Sequence, residues 1–321
     1  MLDKINKILF NLILLLGALA FMVPLLWMIS TALKPIDQTM SFPPTWIPTQ
    51  GYAEIQGVEQ PVRVVEQKDN TFIVSPENAD ATYTIPKESL KNKVEPRWEN
   101  FGLAVKEMKY FWWYLRNTIV LCVLTVIGAV ISNAFVAYGF SRIEWKGRDK
   151  LFALCLATMM IPGPVIMVPL YVMFKNFGWI GSLKPLWVPS FFAGAFNVFL
   201  LRQFFRTVPK ELSESARIDG CSEFRIFWQI ILPLAKPALM VVALFQFLGT
   251  WNDFLHPLIY LTDQKDFTLA LGLQFYQSRA GGTQWHYLMA ASTLVVLPVI
   301  LLFFITQRKL IEGISMTGLK G

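Results

Sequence analysis

From Ile8 to Ser30 the chain runs 23 residues without a charged side chain. As an α-helix that run is about 35 Å long, and the hydrocarbon core of a bilayer is about 30 Å thick. Five further runs of similar character follow, at roughly Asn117–Phe140, Leu151–Phe174, Leu186–Phe205, Pro237–Leu261 and Trp285–Thr306. Lipid offers a backbone amide no partner, so such segments are stable only as helices that satisfy their own hydrogen bonds. Composition agrees: 54% of the 321 residues are hydrophobic and 16% charged, where soluble domains carry about 25% charged side chains. The fold class expected is an all-α polytopic membrane protein with six transmembrane helices. Pro162, Pro164 and Pro169 fall in the third run and predict a kink there. The first run opens as a secretory signal would, with Lys4, Lys7 and then Ala18-Leu19-Ala20. It continues unbroken through Phe21 to Trp27, so residues 1–34 are read as a retained first span.

Charge sets the orientation. Lys and Arg number 2 at the N-terminus, 4 in Ser141–Lys150, 6 in Arg202–Lys236 and 3 in the C-terminal tail. The opposite short loops hold 4, namely Lys175, Lys184, Lys265 and Arg279. The positive-inside rule places the first group, and with it both termini, in the cytoplasm. The net charge of +7 is therefore an orientation signal and not a nucleic-acid footprint, since residues 31–114 hold 9 basic and 11 acidic side chains. The segment 35–114 is then external. Within it Pro61 to Glu66, a turn at Lys68-Asp69-Asn70, and Thr71 to Val74 read as a β-hairpin, with Ala81 to Ile85 as a third strand. The expectation is a small external β-rich insertion over about 51–96, then a five-span core over 115–321, in the cell (plasma or inner) membrane.

The usual catalytic signatures are missing. G-x-x-x-x-G-K-[ST] is absent, so this chain does not itself cradle nucleotide phosphates. No nucleophile–base set is visible, and His256 and His286 are too isolated to read as a metal site. No catalytic residue, metal or cofactor is expected in this chain. Polar groups inside spans are costly and usually face protein or a water-filled path, which singles out Asn133, Asn197, Asn252, Asp253 and His256 as pathway candidates. Trp251 and Tyr260 join them as rings able to stack on a ligand, although aromatic residues also form interfacial belts. Asp253 lies 16 residues past Pro237, about 24 Å along a continuous helix and so near the outer surface.

The most informative stretch joins the fourth and fifth spans, from Thr207 to Pro237. Thr207 and Pro209 can start a helix, and Glu211 to Asp219 makes two turns with Leu212, Ala216 and Asp219 along one side. Gly220 stands where a helix stops in the left-handed conformation. Ser222 can cap a second helix that runs into Ile230-Ile231-Leu232-Pro233. The series Glu214-Ser215-Ala216-Arg217-Ile218-Asp219-Gly220, nine residues, then Ile230, Leu232 and Pro233 resembles the E-A-A-x-x-x-G-x(9)-I-x-L-P loop of binding-protein-dependent ABC importer membrane subunits. Ser215 for the first alanine and Cys221 for a frequent later one keep both side chains small. Trp251-Asn252-Asp253-Phe254 with Pro257-Leu258 looks like the fifth-span pattern of the carbohydrate branch. The ending, with Gly313, Gly318 and Lys320, resembles the tail of its smaller, maltose-permease-like subunit.

The resemblance implies a machine of several chains. Two membrane subunits pair, each docks on one of two ATP-binding subunits that hold ATP and Mg, and an extracytoplasmic solute-binding protein delivers a mono-, oligo- or polysaccharide. It implies a coupling loop over 207–233 in which Glu211, Glu214, Ser215, Ala216, Asp219, Gly220, Ile230, Leu232 and Pro233 serve the ATPase contact. Glu214 would meet an ATPase arginine, Ala216 would allow close packing, and Gly220 would set the bend. The insertion at 51–96 is not part of the usual pattern. A rival reading, an ion-coupled secondary transporter, wants paired charges at mid-span and a two-fold hydropathy repeat. The sequence offers one carboxylate, Asp253, and no repeat.

Overall fold

The computed structural model describes residues 2–68, 71–76, 81–277 and 283–318, with side chains from Lys4 to Gln307. Helix dominates. Among the described residues four helices are long and apolar enough to cross a bilayer, Lys4–Ala32, Phe111–Ser141, Lys184–Thr207 and Trp285–Gln307. Two sharply bent helix pairs raise the number to six if each pair counts as one span. The chain divides into two compact units, residues 1–109 with 275–298, and residues 110–274 with 299–321.

The first unit begins with α1 (Leu2–Ala32) and carries a five-stranded antiparallel sheet. Its strands are β1 (Thr49–Ile55), β2 (Val58–Lys68), β3 (Thr71–Pro76), β4 (Tyr83–Pro86) and β5 (Lys91–Val94), in the order β4-β3-β2-β1-β5. The sequence announced β2, β3 and β4 but not β1 and β5, and two residues of the turn it named, Asp69 and Asn70, lie outside the described residues. In β1 a glycine interrupts the apolar alternation, and β5, Lys-Asn-Lys-Val, is exposed at every position, so neither carries the period-2 signal of a half-buried strand. Ala53, Ile55, Val62, Val74 and Ile85 form the sheet's own small core. The ends of the module meet: Thr49 lies opposite Val94, and Glu95 N–H donates to the Pro48 carbonyl at 3.2 Å. The chain returns through α2 (Glu99–Glu107), where Asn100 Nδ2 donates to the Ala32 and Lys34 carbonyls at 2.8 and 3.0 Å, fastening α2 to the end of α1.

The second unit is built on α3 (Phe111–Ser141). Then come α4 (Arg148–Ala157), α5 (Gly163–Asn176), α6 (Lys184–Trp187), α7 (Ala195–Thr207), α8 (Lys210–Ile218), α9 (Glu223–Ile226), α10 (Leu232–Leu234), α11 (Lys236–Trp251) and α12 (Leu255–Tyr260). Two more helices, α13 (Leu269–Gln277) and α14 (Trp285–Gly318), each contribute residues to both units. The kink expected in the third run is a 98° bend between Arg148–Met160 and Gly163–Asn176. Pro162 causes it, because the residue before a proline is driven out of helical geometry, and Ile161 is extended. The fifth run differs from expectation. It is not one helix from Pro237 to Leu261: α11 stops at Trp251 and α12 starts at Leu255. Pro257 lacks the amide that would close onto the Asp253 carbonyl, so the ladder cannot continue there.

Small residues on α3 let its neighbours approach. A Cβ at Gly128 would come within 2.6 Å of Phe191 and Ser190, so only glycine admits that turn. Further along, Ala134, Ala137 and Tyr138 of α3 pack with Val198, Leu201 and Phe205 of α7. Into the same cluster fall Ile226, Phe227 and Ile231 from the segment after Gly220, all essentially inaccessible. Each buried side chain of this size is worth about 1.5–3 kcal/mol, so that segment is core and not a loose connector.

Candidate functional site

The candidate coupling loop is a folded elbow. Thr207 does not cap α8: its Oγ1 donates to the Phe204 carbonyl at 2.8 Å and closes α7, while Pro209 precedes α8. The inward face of α8 is Ser213 and Ala216, 2% and 6% exposed. Leu212, expected on that side together with Asp219, is turned outward, because the core reaches α8 from Ile226 and Phe205 at the positions three residues apart. Glu211, Glu214, Ser215 and Asp219 are exposed with it. Gly220 is left-handed, φ 79°. Its N–H donates to the Arg217 carbonyl at 3.0 Å and the Cys221 N–H to the Ala216 carbonyl at 2.9 Å, the paired bonds of a Schellman stop. A Cβ there would meet nothing within 4 Å, so the demand for glycine is one of dihedral angle alone.

Beyond the turn, Ser222 Oγ accepts from the Arg225 N–H at 3.4 Å and caps α9. A π-helical turn, Phe227–Ile231, then feeds α10. Pro233 supplies no N–H to the carbonyl four residues back, and such wide turns are frequent where function re-aims a chain. Ile230 and Leu232 pack partly on the core and Pro233 is exposed. One carboxylate locks the two arms together. Glu223 Oε1 accepts from Arg217 Nε and Oε2 from the Tyr138 hydroxyl, both at 2.6 Å. The Arg217 hydrogen bond, and after it that of Tyr138, holds the Glu223 carboxyl below the usual carboxylate range. Beyond this lock the elbow exposes Leu212 and Ile218 on α8, and Phe224 and Trp228, whose rings stack 6.4 Å apart, after the turn.

The second feature is a cavity of about 920 Å³ in the same unit. Its wall is mainly apolar, and Asn133, Asn197, Gln246, Asp253, His256 and Tyr260 supply its polar edge. The Asn133 side chain is committed to structure: Oδ1 accepts from the Gly194 N–H at 2.8 Å and Nδ2 donates to the Ala129 carbonyl at 2.6 Å. Asp253 sits in the break between α11 and α12, where its carboxylate meets His256 Nδ1 at 3.0 Å and accepts from the His256 N–H at 3.2 Å. Two candidates fall outside the wall. Trp251 is buried with its ring 5.4 Å from Phe247, and Asn252 Nδ2 donates to the Leu248 carbonyl at 2.9 Å. Sequence reasoning missed Gln246 and Thr250. The signal was available, since Gln246, Thr250 and Asp253 follow the four-and-three spacing of one helix face in an otherwise apolar run. Of the tail residues, Gly313 and Gly318 lie beyond the last described side chain and Lys320 lies outside the described residues.

Over residues 133–315 the chain matches the family model of the binding-protein-dependent transport system inner membrane component. It is 37% identical over 212 residues to the arabinooligosaccharides transport system permease protein AraQ of Bacillus subtilis, across 66% of this chain and 74% of that one. The diacetylchitobiose uptake system permease protein DasC of Streptomyces coelicolor is 29% identical over 299 residues, across 93% and 91%. Among solved structures, a chain of a bacterial ABC transporter involved in the import of the acidic polysaccharide alginate has the same fold. The TM-score is 0.72 at 19% identity, covering 95% of this chain and 96% of that one. The protein is thus a multi-pass permease subunit of the cell membrane. It belongs to the family of binding-protein-dependent transport system inner membrane components.

Proposed function

We propose that this chain is one of two membrane subunits of an ATP-driven importer for a carbohydrate. An extracytoplasmic binding protein delivers the sugar, and two ATPase subunits dock on the cytoplasmic face. The observation that carries this reading is the elbow: a helix stopped by Gly220, locked at Glu223 and seated in the core through Ile226, Phe227 and Ile231. Such a body transmits a push without bending, and it shifts a conformational equilibrium only if its partner binds it differently in two states. The carbohydrate class rests on the saccharides named for AraQ, DasC and the alginate transporter. The 920 Å³ cavity is within the size range of ligand sites. In this reading Asn197, Gln246, Asp253, His256 and Tyr260 face the sugar, while Trp251 and Asn252 shape the break behind them. The chain in this reading has six spans, with both termini and the elbow in the cytoplasm and the β sheet outside.

The test is reconstitution. The chain is co-expressed with a second permease subunit, the ATPase and the binding protein, and the purified assembly is placed in vesicles. The expected result is two ATPase subunits per assembly and uptake of the sugar that the binding protein retains, dependent on ATP. Uptake by this chain alone, driven by an ion gradient, would overturn the proposal.

A further inference from the structure

Behind α8 lies a second cavity, of about 860 Å³, enclosed by the ends of α3 and α7, the start of α4 and the inner side of the elbow. Its lining is basic. Arg142, Arg148, Arg202, Arg206, Lys210 and Arg217 stand against four carboxylates. Two of the four are spent within the protein: Asp149 takes Arg148 and Arg202 at 3.3 and 3.2 Å, and Glu223 takes Arg217. Glu144 and Glu214 are the remaining carboxylates of the lining, set against Arg142, Arg206 and Lys210, of which Arg206 also acts on Asp149. Two donors in this wall have no partner among the described residues. Ser213 Oγ is buried on a side chain only 2% exposed, and Arg142 Nε is buried although its Nη2 donates to the Val208 carbonyl. A buried donor left unsatisfied costs about 1–3 kcal/mol. Two of them in one basic cavity define an acceptor-rich, negatively charged occupant.

We propose that this cavity binds a phosphate group and that the occupant clamps α8 to the ends of α3 and α7. A phosphate offers several acceptor oxygens and a negative charge, which suits Ser213 and Arg142 at depth and Arg206 and Lys210 at the rim. The same chemistry comes from a phospholipid headgroup or from a soluble phosphate, and the two are separable by experiment. That this side faces the cytoplasm rests on the reading above; the binding itself does not.

The complete transporter is placed in nanodiscs of phosphatidylcholine and titrated with inorganic phosphate against chloride at constant ionic strength. Hydrogen exchange across residues 207–221 is followed. In a second arm, nanodiscs containing phosphatidylglycerol are used without phosphate. Saturable protection of α8 by inorganic phosphate identifies a soluble ligand, and protection by phosphatidylglycerol alone identifies a headgroup. In either case Arg206→Gln combined with Lys210→Gln is expected to weaken the effect about tenfold. Ser213→Ala, which removes a buried donor without adding volume, is expected to weaken it as well. Protection in neither arm, or protection unchanged in both variants, overturns the proposal. Sugar-stimulated ATP hydrolysis is measured on the same wild-type sample. Its absence alongside intact protection counts against the importer reading and leaves the phosphate site standing.

Discussion

Gly220 and Glu223 make different demands on the elbow and fail in different ways. At Gly220 the surroundings are open and the backbone is left-handed, so a side chain there costs conformational energy, about 1–2 kcal/mol for a β-branched residue. Gly220→Val is expected to leave the protein in the membrane and to lower sugar uptake several-fold, because α9 would leave the turn in a new direction. Gly220→Asn, which tolerates that backbone region, is expected to transport nearly as wild type. Equal uptake by the valine variant and wild type would refute the role. Glu223 carries a pH signature instead. Its carboxyl is held low chiefly by Arg217, so the lock is intact above the free carboxylate value of about 4.3. It is lost as pH falls through the folded value. The Tm difference between wild type and Glu223→Gln should be constant from neutral pH to about 5 and shrink progressively as pH falls below the free value and through the folded one. A difference that instead grows on acidification would exclude the lock. The stop at Gly220 was legible because spacing and turn chemistry are local. The outward turn of Leu212 was not, because which face of a short helix is buried is decided by Phe205 and Ile226, distant in sequence or across the turn.

At the scale of elements, the elbow combines a buried inner face with exposed apolar side chains on its outer side, which in the proposed reading is the side the ATPase meets. Ile218 is 87% exposed at the tip of α8, whereas Ser213 faces inward and a reagent could not reach it. A cysteine at Ile218, in a chain whose three native cysteines are replaced, is expected to react with an impermeant maleimide only in inside-out vesicles. Assembly with the ATPase should shield it. Labelling in right-side-out cells would reverse the topology and remove the coupling role together. The break between α11 and α12 shows the limit of reading by hydropathy. Pro237 to Leu261 is apolar enough to look like one span, but Pro257 removes the amide that a continuous ladder needs, and Asp253 gathers at the resulting gap with His256. Asp253 is consequently a residue of a broken helix facing a cavity. The kink at Pro162 was legible for the converse reason, since three prolines crowd one run.

At the scale of the whole molecule, the matched family residues begin at 133, so the β sheet lies outside them. The sheet has its own core in Ala53, Ile55, Val62, Val74 and Ile85, and its entry and exit are neighbouring strands with Thr49 opposite Val94. A module closed at its base in this way is removable without stretching the chain, since paired strands lie about 5 Å apart. In the proposed reading the sheet is external, which would place it within reach of an incoming binding protein and suits an accessory role. Replacing Gly51–Pro96 by a short Gly/Ser linker is therefore expected to preserve assembly and to raise by several-fold the concentration of loaded binding protein needed for half-maximal uptake. The maximal rate should change little, because in this reading the pathway and the elbow belong to residues 110–274. Transport assays over a range of binding-protein concentrations separate the two parameters. If the assembled deletion variant transports nothing at any concentration, the sheet belongs to the gate and the division of labour drawn here is wrong.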